Sequence, residues 1–271
     1  MISQIRDTII VAGPSACGKT EALNNLRKII GIEYKLPQEF TPLSDSHTIL
    51  ACVREDDASG GKHHYHPWMT QEERLVGGHN HANHPELTPF TLAGREIGFA
   101  FMGDFFKELM NLPHDDGLIK YAEWSGGINV NKPEDPASRT DVSFTTIARL
   151  LLDGTFPAAG LERVKGIIHV ATTRDDRNQL NDQRGVPTED DIRFGLASWQ
   201  LDRTAMNIFG KDDFRNMNTM ALFQRYHIPF VTTIYNDRKQ SLENGLRRML
   251  IEEHIVPWRG GETGLSRGKE L

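Results

Sequence analysis

Residues 13–20 read Gly-Pro-Ser-Ala-Cys-Gly-Lys-Thr and match the spacing G-x-x-x-x-G-K-[ST] at every fixed position. The chemistry served by that spacing is the holding of a polyphosphate. Gly13 and Gly18 permit a tight wrap, so the backbone N–H groups of Ser15, Ala16, Cys17, Gly18, Lys19 and Thr20 turn inward as an anion nest at a helix N-terminus. Lys19 is placed to reach the β- and γ-phosphates, and Thr20 offers a hydroxyl to Mg²⁺. ATP and Mg²⁺ are the expected donor and metal.

A phosphate grip needs further charge before it does anything with its cargo. Positive groups must spread over a transferring phosphoryl group, and an acid at the end of a neighbouring strand often helps hold the metal or orient water. Asp153, after Leu150-Leu151-Leu152, is the foremost candidate for that acid. Residues 144–152 read equally as an amphipathic helix stopped by Gly154, which would make Asp153 a helix-end residue. A phosphorylated acceptor needs no general base, whereas a hydroxyl acceptor benefits from one, and Asp56, Asp57 and Asp153 are candidates for it. His63, His64, His66, His79, His81 and His84 crowd into one polar stretch. No cysteines or carboxylates surround them at ligand spacing, so surface histidines, or histidines contacting an acceptor phosphate, are expected ahead of a zinc site.

The loop must be held by the elements on either side of it. Residues 9–12 are a short apolar run, as a buried parallel strand should be, and residues 19–30 read as the helix that follows. Further strands are predicted over 47–53, 167–170 and 230–234, and helices over 103–110, 189–209 and 238–253. Residues 89–101 read as a hairpin turning near Ala93-Gly94. Alternating strands and helices imply an α/β fold in three layers, a mostly parallel sheet covered on both faces. The segment of about 68–117 is expected as an insertion, and 259–271 as a loose tail.

Composition narrows the partners. Lys and Arg number 31 against 37 Asp and Glu, a net charge of -6, so no extended nucleic-acid surface is expected and any anion site must be local. The two cysteines, Cys17 and Cys52, form no disulfide framework, consistent with a reducing cytoplasm. No apolar run approaches the roughly 20 residues that span a bilayer. A cytoplasmic protein acting on a small molecule, without membrane, is expected.

The loop and several later blocks resemble guanylate kinases. Residues 54–66 are similar to that family's monophosphate loop, which implies that Arg54 and Tyr65 hold the acceptor phosphate; Gly61 and Tyr65 stand one residue further apart than in the family. Residues 118–126 resemble the segment leading into the acceptor-base pocket. Asp182-Gln183-Arg184-Gly185, with Thr188-Glu189-Asp190-Asp191-Ile192 after it, is similar to the lid, in which Arg184 contacts the donor phosphates; Arg193 stands near a further lid arginine. Ile234-Tyr235-Asn236-Asp237 resembles the end of the last strand, placing Asn236 near the donor adenine.

The departures lie on the acceptor side. The family's second phosphate arginine falls on or beside Asp57, and its guanine-reading glutamate falls on Lys120. An ammonium has donors only and cannot accept from a guanine edge. The resemblance therefore implies a single P-loop kinase-like domain over 1–271, with an acceptor lobe over 32–131 and a lid over 182–195. Its implied activity is ATP- and Mg²⁺-dependent transfer to a small phosphorylated acceptor other than GMP, with Lys19, Arg184 and Arg193 supplying charge and Lys120 in the acceptor pocket. A hydroxyl-bearing metabolite as acceptor, or a catalytically inactive nucleotide-binding scaffold, is the competing expectation.

Overall fold

The computed structural model describes residues 6–14, 16–39, 41–45, 48, 51, 92–113, 116–125, 129–130, 140–141, 144–183, 214–236 and 242–256. The first strand, β1 (Thr8–Ala12), is buried throughout and runs through the loop into α1 (Lys19–Arg27), which continues as a π-helical turn, Lys28–Glu33. Then come β2 (Leu43–Ser44), α2 (Leu92–Asn111), β3 (Lys120–Trp124), the short pair β4 (Asn129–Val130) and β5 (Thr140–Asp141), and α3 (Phe144–Leu152). A 3₁₀ turn, Ala159–Arg163, leads into β6 (Val164–Ala171) and α4 (Arg174–Asp182). Last are α5 (Met217–Arg225), β7 (Val231–Tyr235) and α6 (Leu242–Glu252).

Five strands form one parallel sheet in the order β2-β3-β1-β6-β7. The chain leaves β1 towards one edge and later returns to its other side, so the crevice above β1 is the switch point where parallel α/β sheets collect ligands. Strand alternation sends Ile10, Ala12, Ala122, Trp124 and Ile167 to one face, under α2, α3 and α5. It sends Ile9, Val11, Tyr121, Ile168, Val170 and Ile234 to the other, under α1 and α6. The expected three-layer α/β architecture is what the chain forms, and every pairing in the five-stranded sheet is parallel.

Two local expectations are corrected. The expected hairpin over 89–101 is helix from Leu92 onward, and the short helix expected over 103–110 is its second half. Met102, Phe105, Phe106 and Leu109 recur at helical spacing and are buried together, so packing of that stripe on the sheet settles the element. The strand expected over 47–53 is likewise helical where described, at Thr48 and Ala51, and the strand here is the shorter β2 before it. Thr48 Oγ1 donates back to the Ser44 carbonyl at 3.3 Å, the four-residue return of a helical turn. The helix expected over 189–209 lies outside the described residues, as does the tail.

The lower, N-terminal end of the sheet is held by charge. Asp7 Oδ2 accepts from Lys120 Nζ at 3.1 Å and from Arg163 Nη2 at 2.9 Å, while Asp7 Oδ1 accepts from Thr8 Oγ1 at 2.8 Å. Arg163 also donates to the carbonyls of Leu112 and Pro113, which ties the end of α2 to the starts of β1 and β6. Both cations are 2% exposed. Among the described residues no helix is long and apolar enough to cross a membrane.

Removing one member of a buried ion cluster strands the others, so Asp7→Asn should lower stability by about 3 kcal/mol. Urea unfolding followed by circular dichroism checks this; an unchanged midpoint would mean that the cluster does not hold the sheet.

Candidate active site

The loop after β1 is built from backbone constraints that only some residue types meet. Gly13 N–H donates to the Trp124 carbonyl at 3.1 Å, carrying the pairing with β3 one residue past the strand. A Cβ on Gly13 would lie 2.6 Å from the Val170 carbonyl oxygen of β6, so the loop starts in a gap that admits glycine alone. Ala16 takes φ 60 and Gly18 φ 95, two left-handed residues that fold the loop back on itself. The Pro14 carbonyl accepts from Cys17 N–H at 3.4 Å and from Lys19 Nζ at 3.0 Å. Lys19 is thus drawn over its own loop, and Thr20 is exposed.

Helix α1 starts at Gly18 with no side-chain cap. Among the described residues no side chain caps its first-turn N–H groups, which face the loop with the positive end of the dipole, an arrangement that favours an anion. Ser15 lies outside the described residues; Gly13, Ala16, Cys17, Gly18, Lys19 and Thr20 lie together at the upper, C-terminal end of β1.

Two acids that sequence reasoning missed stand at the upper ends of β2 and β3. Asp45 follows β2, is buried, and accepts from Ser125 N–H at 2.6 Å and Ser125 Oγ at 3.0 Å, which joins the upper ends of β2 and β3. Glu123 pairs in register with Val11 on β1 and Ser44 on β2. Alternation with Tyr121 puts its side chain on the α1 face of the sheet, and it is partly exposed. Asp45 follows the two-residue strand Leu43-Ser44, and the strand expected over 47–53 left it ahead of the element.

Asp153 is not a strand-end acid. Its N–H continues α3 by donating to the Arg149 carbonyl at 2.9 Å, and its Oδ1 accepts from Thr155 Oγ1 at 2.7 Å and Thr155 N–H at 3.0 Å. Those two bonds from Thr155 hold its carboxyl below the usual carboxylate range.

Lys120 is corrected as well. It opens β3 in register with Thr8, four residues below the level of Ala12, which at about 3.3 Å per residue puts it about 13 Å from the loop end of the sheet. Burial presses its ammonium pKa down, yet hydrogen bonds to Asp116, at 2.6 Å, and to Asp7 outweigh burial and leave it raised. Asp116 is held below its ordinary value by the same bond to Lys120. Lys120 is a structural cation, and the expected acceptor lobe over 32–131 contains a central strand of the sheet.

Asn236 follows β7 at the upper end, beside the loop. It is buried, and its Nδ2 donates to the Cys17 carbonyl at 3.0 Å. Arg54, Tyr65, Arg184, Arg193, Asp56, Asp57 and the six clustered histidines lie outside the described residues. Among the described residues no group of three or more His, Cys, Asp or Glu is arranged to hold a metal ion.

No family model matches the sequence, and no curated protein matches it. Among solved structures the chain is similar to a shikimate kinase from Acinetobacter baumannii in complex with shikimate, with 14% identity, 92% of this chain and 93% of that chain covered, and a TM-score of 0.39. What the site can do is decided by its own residues.

Gly18 is the sharpest test of the loop's geometry. A Cβ there would stand 2.3 Å from Asn236 Nδ2, at a φ that side chains other than glycine's resist. Gly18→Ala should weaken Mg²⁺–ATP binding at least tenfold, the equivalent of about 1.4 kcal/mol of strain and displacement. Titration calorimetry of the intact variant reads this directly; wild-type affinity would mean that the loop is not the phosphate grip.

Proposed function

We propose that the protein is an ATP- and Mg²⁺-dependent phosphotransferase of the P-loop kinase type, acting on a small acceptor. The observation that carries this reading is the complete loop at the upper end of the central strand, its lysine folded over it and its helix start uncapped. A scaffold that only docks partners has no need of such a grip.

Phosphoryl transfer is mostly positioning and charge. Lys19 exchanges the Pro14 carbonyl for the donor's β- and γ-phosphates, and loop N–H groups fix the remaining oxygens. The Thr20 hydroxyl is an oxygen donor of the kind that suits a hard cation, which retains much of its water and needs few protein ligands. Mg²⁺ held there would neutralise charge on the transferring group. Arg184 and Arg193 add positive charge in the guanylate-kinase-like reading of the lid.

Two acceptor classes divide on different residues. In the first, Arg54 and Tyr65 grip the phosphate of an already phosphorylated acceptor, and Lys120, bonded to Asp7 and Asp116 at the opposite end of the sheet from the loop, takes no part. In the second, the acceptor presents a hydroxyl, and Asp45 favours it: a buried carboxylate at the same end of the sheet as the loop is suited to orient a hydroxyl and take its proton.

Lys19→Ala should reduce ATP turnover by about 10²–10³-fold, the loss typical of removing one charge-stabilising donor, with no change in the unfolding midpoint. Turnover that survives the substitution would remove the assigned role. For the acceptor, Asp45→Asn separates the classes. Loss of kcat by about 10²-fold or more with KM for ATP unchanged supports a hydroxyl acceptor; unchanged kcat supports a phosphorylated one.

A further inference from the structure

We infer that Asn236 is a positioning residue for the phosphate loop: its amide nitrogen locks the loop in its holding shape, and the grip on phosphate depends on that lock whatever base the nucleotide carries. The inference rests on the donor-site reading above and assigns Asn236 a role different from the adenine contact that the family resemblance implies.

The backbone of Asn236 is pinned twice to the strand beside it. Its N–H donates to the Ala171 carbonyl at 2.8 Å, and its carbonyl accepts from Thr172 Oγ1 at 2.8 Å. A residue held at both ends of its own backbone aims its side chain in one direction. That direction is towards the loop after β1, where Nδ2 meets the Cys17 carbonyl at 3.0 Å in a buried bond.

The consequence follows from peptide geometry. In a planar trans peptide the C=O and the next N–H point opposite ways. Holding the Cys17 carbonyl towards Asn236 therefore holds the Gly18 N–H away from it, turned to the side on which an anion nest forms. The same contact fixes the start of α1, because Gly18 is its N-cap and Lys19 its first residue. Asn236 and Gly18 are also in van der Waals contact: the space a Cβ on Gly18 would need is taken by Nδ2, 2.3 Å from it. Cys17, between the two halves of the loop, has a thiol that is fully buried while the lock is closed.

Base contact and loop locking make opposite statements about a ligand with no base. Magnesium tripolyphosphate and Mg²⁺–ATP are titrated by calorimetry into the intact wild type, Asn236→Ala and Thr172→Val. In parallel, alkylation of Cys17 by N-ethylmaleimide is timed by peptide mass spectrometry, which separates it from Cys52. Asn236→Ala should lose about tenfold in affinity for both ligands by the same factor, the loss of one buried hydrogen bond, and should alkylate Cys17 faster. Thr172→Val, which releases only the backbone pin, should shift both readouts in the same sense by less, and serves if Asn236→Ala does not fold.

A variant that binds tripolyphosphate as the wild type does and loses only ATP would overturn the lock in favour of a base contact. So would Cys17 alkylation unchanged in both variants. If the wild type binds neither ligand while Cys17 reacts faster in Asn236→Ala, the lock stands as a feature of the loop and the donor-site reading falls.

Discussion

The hydrogen bond from Gly13 N–H to the Trp124 carbonyl is the contact on which the upper end of the molecule depends. It extends the sheet one residue into the loop, so the loop leaves a rigid strand, not a flexible end. On its other side the same glycine is hemmed by the Val170 carbonyl of β6. The loop therefore starts in a slot between two strands, and its direction is set before any ligand arrives. The two left-handed residues that follow, and the bond from Asn236, shape the rest of the wrap from that fixed origin.

A parallel sheet brings every strand's C-terminal end to the same side, and there Asp45 pairs with Ser125 while Asn236, held by Thr172, bonds the loop. The opposite end shows the complementary use of polar groups. There Asp7 and Asp116 balance Lys120 and Arg163, tying α2, β1, β3 and β6 together. Lys120 is matched by two carboxylates, whereas among the described residues Lys19 donates to the neutral Pro14 carbonyl, which in the proposed function it exchanges for a phosphate.

What was legible in the sequence was what is local. The loop motif, β1, α1, β6, β7 and α6 all follow from patterns a few residues long, and the three-layer parallel architecture follows from their order. The errors share a cause. Over 47–53 and 89–101 the apolar residues fit both a strand and a helix, and the choice was made by contacts with distant elements: Thr48 donates to Glu108 on α2, and Phe106 packs edge-on against Trp124 on β3. The resemblance put Lys120 in the acceptor pocket by matching it to a guanine-reading glutamate, whereas it opens β3 at the end of the sheet away from the loop. Asp45 was missed because β2 is only two residues long, too short for periodicity to reveal.

The central claim is that residues 13–20 grip a nucleotide triphosphate in order to transfer its terminal phosphoryl group. Phosphorus-31 NMR of ATP with Mg²⁺ and the intact chain, run against nucleoside monophosphates, sugar phosphates and unphosphorylated nucleosides with an acceptor-free blank, tests both halves at once. The account predicts that the β and γ resonances broaden when protein is added, and that with one acceptor class the γ signal passes into a new phosphoester or phosphoanhydride resonance. Resonances that stay unmoved by the protein at millimolar ATP would contradict it.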